Sequence, residues 1–286
     1  MVWREADVRS ESIIGLCRRG EKGRMPLDPG LVVALHIERL GRGEVRAQER
    51  LHHALFQTST IDALLSGSYE GDVSFAELRA RGDFGLGTFD ALDGEMVGLD
   101  GVFYQVKADG RAYEVDERAK TPFAVVTFFE PRKIRQLDAP MDHVAFRSYL
   151  DGVVGDDVAA CRAVRVDGHF SYVKTRSVPR QHKPYPPLVE VVKHQTTFEL
   201  HEVRGSLVGF RFPDYVEGLN VAGYHFHFIA EDRSAGGHLL EFQITRGELR
   251  VDHESDLNLE LPAGVNEAMP ELAPSEKDEL DRIENA

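Results

Sequence analysis

GYHFHFIAEDRSAGGHLLEF, residues 223–242, alternates aromatic residues with histidines and then turns back through Asp, Ser and a Gly pair. A strand over 222–230 sends successive side chains to opposite faces, so His225 and His227 share one face while Phe226 and Phe228 take the other, packed one. The stretch Glu231 to Gly237 has turn composition, and an antiparallel return from it sets His238 beside the first two histidines. One hairpin therefore predicts a face of three imidazoles. Three neutral imidazoles with a fourth position open are the donor set of a catalytic zinc. The spacing alone leaves a second reading open, a polar cluster on an exposed sheet face, since H-x-H also recurs by chance.

Outward from this hairpin, LVEVVKHQTTFEL, GSLVGFRF, GHLLEFQIT and ELRVDHES read as β-like runs with polar or glycine connections, which predicts an antiparallel sheet or small barrel. Upstream of them, SVPRQHKPYPP, residues 177–187, carries four prolines and reads as a stiff crossover and a lobe boundary. Before it, FAVVTFF (Phe123 to Phe129) is apolar on both faces and predicts a central buried strand, followed by an amphipathic helix over Pro140 to Leu150. Asp93-Gly94, Asp100-Gly101 and Asp109-Gly110 punctuate short β-rich runs from Gly85 onward, the pattern of a meander.

Two short helices are predicted ahead of that sheet. One is capped by Ser59 or Thr60 and stops at Gly67; the other opens on a Ser74/Glu77 capping box and stops at Gly82. The expected class is α+β, a mixed β-sheet N-terminal lobe with short helices packed on a mainly antiparallel β-sheet or barrel C-terminal lobe. The expected divisions are an N-terminal extension (1–48), a mixed α+β lobe (49–176), an antiparallel β lobe with the metal site (177–262) and a C-terminal tail (263–286).

Of 286 residues, 42% are hydrophobic and 29% charged, the balance of a globular protein large enough for one substantial core or two small ones. The net charge of −14 repels a phosphate backbone and argues against nucleic acid as partner. No apolar run reaches the roughly 20 residues that span a bilayer, and MVWREADVRS lacks the apolar stretch of a signal peptide, so a cytoplasmic protein without a membrane partner is expected. Cys17 and Cys161 lie far apart and outside any metal-ligand spacing. His52, His53, His143, His169, His182, His194, His201 and His253 share no spacing and read as surface or packing residues.

FQTSTIDALLSGSYEGD (56–72), RGDFGLGTFDALDGEM (81–96), KTPFAVVTFFEP (120–131), KTRSVPRQHKPYPPL (174–188) and GYHFHFIAEDRSAGGHLLEF (223–242) together resemble the acetolactate decarboxylase family, in order and at matching spacing. The resemblance runs from about Leu55 to the C-terminus. It implies a homodimeric enzyme that removes CO2 from 2-acetolactate through a metal-stabilised enediolate to give acetoin, with Zn2+ on His225, His227 and His238. It further implies Glu95 as an active-site carboxylate, Arg176 as a substrate-binding cation, Thr88 as a pocket residue, and a tail glutamate returning to the site. Glu276, Glu279 and Glu284 compete for that last place, and the ELDRIE register favours Glu284. Read by themselves, Glu95 is a hairpin-turn carboxylate, Arg176 a surface charge and Thr88 a residue of high β-propensity.

Two other classes fit the histidines. His225, His227 and Glu231 also resemble the first cupin motif, which makes Glu231 a ligand, His238 incidental, and iron or manganese the metal. A non-catalytic β-rich interaction protein instead calls for a closed structural zinc or none, with no accessible pocket.

Overall fold

Short signals in the chain become short elements. The computed structural model describes residues 54–155 and 160–261; the extension 1–48, the tail 263–286 and Glu276, Glu279 and Glu284 lie outside the described residues. Strand β1 (Ala54–Thr58) leads into helix α1 (Ile61–Leu65), where Thr60 Oγ1 accepts from the Ala63 N–H at 3.2 Å. After β2 (Val73–Ser74), helix α2 (Phe75–Arg79) opens on the predicted capping box: the Glu77 N–H donates to Ser74 Oγ, and the Ser74 N–H donates to the Glu77 carboxylate at 2.8 Å. Strands β3 (Phe84–Thr88), β4 (Glu95–Leu99), β5 (Val102–Val106) and β6 (Ala112–Glu114) form the meander. Asp100 and Gly101 both have positive φ, the conformation that closes a two-residue hairpin in keeping with strand twist.

The chain continues through β7 (Lys120–Thr121), β8 (Ala124–Thr127), β9 (Lys133–Leu137), β10 (Met141–Asp142) and helix α3 (His143–Val154). Next come β11 (Cys161–Ser177), helix α4 (Leu188–Val192), β12 (Thr196–Phe212), β13 (Gly223–Ala230), β14 (Gly236–Glu254) and β15 (Asp256–Glu260). Among the described residues the first sheet runs β15-β1-β8-β3-β4-β5-β6, with β8 fully buried inside it as FAVVTFF predicts. The second runs β10-β14-β11-β12-β13, all antiparallel, and β13 pairs in turn with the start of β14, so four strands make a closed ring of pairings. The class is α+β. No helix among the described residues is long and apolar enough to cross a membrane.

Four expectations need correction. Strand β1 precedes the two short helices and lies within the first sheet between β15 and β8; ALFQT is too short a run to separate strand from helix by periodicity. LVEVV is helix α4 rather than strand: Pro186 and Pro187 set its start, and Leu188, Val189, Val191 and Val192 bury against the core. The runs GHLLEFQIT and ELRVDHES are one continuous strand, β14. Finally, the proline-rich crossover does not separate the sheets. It joins β11 to β12, antiparallel neighbours in the second sheet, and β9, β10 and β11 of that sheet, with α3 packed on its face, all come before the crossover. The sheet changeover lies near residue 130, and β15 returns the chain to the first sheet parallel to β1.

The layers follow from which faces are apolar. Leu55, Phe84, Val97 and Val125 of the first sheet, with Phe123 just ahead of β8, meet Ala163, Val208, Phe210 and Ile229 of the second. On the far side of the second sheet, Phe170, Phe228 and Phe242 pack with Phe146 and Leu150 of α3. Each fully buried Phe contributes roughly 1.5–3 kcal/mol.

Candidate metal and active site

Alternation along β13 sends Tyr224, Phe226 and Phe228 into the α3 layer and leaves His225 and His227 facing the first sheet. The return strand places His238 directly opposite His227, with Arg176 of β11 opposite His238 on the other side. Close approach needs glycine here. Gly237 has φ +133°, and a Cβ there would run into the Arg176 carbonyl oxygen; a Cβ on Gly236 would meet that of Phe228. The Gly pair thus serves the convergence of three strands as well as the turn.

The three imidazoles are buried, and one nitrogen from each lies within 4.8 Å of the others. Ring centroids are 4.9–5.3 Å apart. His227 Nδ1 is 2.7 Å from the Met96 carbonyl oxygen, which can only accept, so Nδ1 carries the hydrogen and Nε2 is left to bind. Burial, with Arg176 nearby, pushes the His225 pKa down to about 3, so its ring is neutral at physiological pH, the form that binds metals. Buried and convergent, the three fit a metal ion.

Glu95 begins β4 across from Thr88 of β3. One of its carboxylate oxygens is 3.5 Å from the Arg176 guanidinium and the other 3.7 Å from His227 Nε2, with both charged side chains almost wholly buried. Thr88 Oγ1 donates to the Gly94 carbonyl at 2.7 Å, fastening the turn that presents Glu95. Thr88, Glu95, Arg176, His225, His227 and His238 line one narrow cavity of about 30 Å³. Arg176 is therefore not the surface charge that it reads as by itself.

Sequence patterns did not reveal the opposite wall. Ile61, Leu64, Leu92, Phe123, Val178 and Leu188 supply it, and each reads as an ordinary core residue until the fold brings them together. Glu231 goes elsewhere: it is exposed in the turn after β13, its N–H donating to the Arg204 carbonyl, and it is not in the histidine cluster. The cupin-like ligand set therefore does not assemble, whereas His238 is central.

The model of the alpha-acetolactate decarboxylase family matches residues 55–269. Alpha-acetolactate decarboxylases of Methanosarcina mazei and Methylococcus capsulatus are 47% and 46% identical to the chain, over 80% and 82% of its length and 80% and 89% of theirs. The crystal structure of the alpha-acetolactate decarboxylase from Bacillus subtilis strain 168 superposes with a TM-score of 0.77 at 38% identity, over 81% of this chain and 99% of that one.

Proposed function

The chain belongs to the alpha-acetolactate decarboxylase family, and we propose that it converts 2-acetolactate to acetoin and CO2 with zinc on His225, His227 and His238. The observation that carries the proposal is the buried triad sharing a cavity with Arg176 and Glu95. Zinc, when bound, supplies a Lewis acid for the ketone and hydroxyl oxygens on which charge collects as CO2 leaves. The donor set favours this metal over calcium or magnesium, which take oxygen ligands.

Among the described residues Arg176 is the one cation lining the cavity, and it takes the substrate carboxylate. Its buried guanidinium, already set by Glu95, orients the breaking bond; binding that held ground and transition states equally would lower only KM. As the carbon–carbon bond breaks, its electron pair passes into an enediolate, and a proton must then reach the former carbinol carbon. Glu95 is the donor in this proposal. Two carboxylates meet at one guanidinium when substrate binds, and their repulsion favours the protonated acid at Glu95. The apolar wall suits the two methyl groups of acetolactate. Glu284 of the tail is proposed as the second carboxylate.

The first experiment measures acetoin formed from acetolactate by the purified protein, as isolated, after chelation and after zinc is restored. Loss on chelation and recovery with zinc support the reaction and its metal together. No acetoin from folded, zinc-loaded protein sinks the proposal. A cytoplasmic homodimer completes the reading, and light scattering on the eluted protein tests the dimer by its mass.

A further inference from the structure

The turn between β3 and β4 holds two consecutive non-glycine residues, Ala91 and Leu92, at φ 59° and 55°. Left-handed backbone is uncommon for residues with a side chain, and it persists where surrounding contacts over-determine it. Here they do. The Ala91 N–H donates to the Tyr69 carbonyl at 2.7 Å, and the Gln181 N–H donates to the Ala91 carbonyl at 2.8 Å. Arg180 lies 3.3 Å from the Asp90 carboxylate and 3.9 Å from that of Asp93, while the Gln105 side chain donates to the Asp93 carbonyl at 2.6 Å. Thr88 and Glu95, cross-strand partners, close the two ends of the turn. The proline-rich crossover thus clamps a strained turn whose Leu92 side chain lines the cavity.

We propose that Leu92 is a specificity-determining wall that limits the alkyl group on the substrate's carbinol carbon, with Arg180 and Gln181 as positioning residues. The proposal rests on the acetolactate reading and deepens it. Glycine at 91 and 92 would give this turn without strain, but glycine at 92 would leave no wall. Because Leu92 rides on the same turn as Glu95, its distance from the proton donor is set by a few fixed backbone bonds rather than by packing between separate elements. In a narrow apolar site one methylene is discriminated by about 10–200-fold.

The test uses the full, zinc-loaded chain and two matched pairs of ligands, each differing by one methylene. The substrates are acetolactate and its homologue with ethyl on the carbinol carbon, compared by kcat/KM. The inert acids are 2-hydroxy-2-methylpropanoate and 2-hydroxy-2-methylbutanoate, compared by calorimetric titration. Leu92→Ala is expected to shrink the preference for the smaller member about tenfold or more in both pairs, while Leu92→Met keeps it. Leu92→Gly, at ease in this backbone, gives the same measurement if the alanine variant folds poorly. Arg180→Gln moves the preference partway and raises KM more than it lowers kcat. An unchanged ratio in folded Leu92→Ala or Leu92→Gly overturns the wall even where acetoin forms. Selectivity among the inert acids that disappears with Leu92, in a protein forming no acetoin, keeps the wall and sinks the acetolactate reading.

Discussion

His227 connects the two sheets through a hydrogen bond, its Nδ1 hydrogen on the Met96 carbonyl of β4. That bond selects the tautomer and turns Nε2 toward Glu95 and the other rings. His227→Ala is therefore expected to remove most of the zinc, read as metal per chain by mass spectrometry after dialysis; a full complement would strike His227 from the ligands. Glu95 and Arg176 form a buried pair, and deleting one partner of such a pair costs roughly 3–5 kcal/mol. Glu95→Gln keeps a hydrogen-bond acceptor for the guanidinium while removing the acid and the charge paired with Arg176. It is expected to bind zinc normally and to lose about 100-fold or more in kcat, and wild-type turnover would exclude Glu95 as the proton donor.

At the scale of elements, the site depends on how tightly β13, β14 and β11 converge. Gly237→Ala adds a Cβ against the Arg176 carbonyl oxygen at a φ suited to glycine. The expected outcome is a loss of about 3 kcal/mol or more in unfolding free energy, together with weaker zinc retention, because His238 must move away from His227. A melt and zinc content like those of the parent would show that the hairpin tolerates the wider spacing. Helix α2, remote from the chemistry, offers the contrasting case. Ser74→Ala removes one half of its capping box and should cost about 1 kcal/mol with kcat unchanged, as urea titration and acetoin assays would report.

Across the whole molecule, the two sheets also meet at Glu254, which ends β14 and accepts from Thr127 Oγ1 of β8 at 3.1 Å. Burial, then the nearby Asp252, raises its pKa from 4.5 to about 8. Below pH 4.5 both folded and unfolded chains hold this proton and its contribution to stability is complete. As pH rises toward 8 the unfolded chain releases the proton first, so that stability is progressively lost. Glu254→Gln should melt above the wild type at pH 8 and show a flatter pH dependence between 4.5 and 8; identical slopes in thermal melts would rule out this role. Local patterns were enough for whatever local chemistry decides: the caps at Thr60 and Ser74, the Asp-Gly turns, the buried strand β8, and the histidine spacing that puts His225 and His227 on one face. The family resemblance added Thr88, Glu95 and Arg176, which side-chain type and spacing alone leave as ordinary turn, surface and strand residues. Only the tertiary structure decided that the proline-rich segment joins two strands of one sheet, that β11 belongs with β14, and that Leu92, Val178 and Leu188 line the site. Those outcomes depend on pairing and packing between residues far apart in the chain, whose free energy comes from burying one surface against another and leaves no periodic trace in either segment.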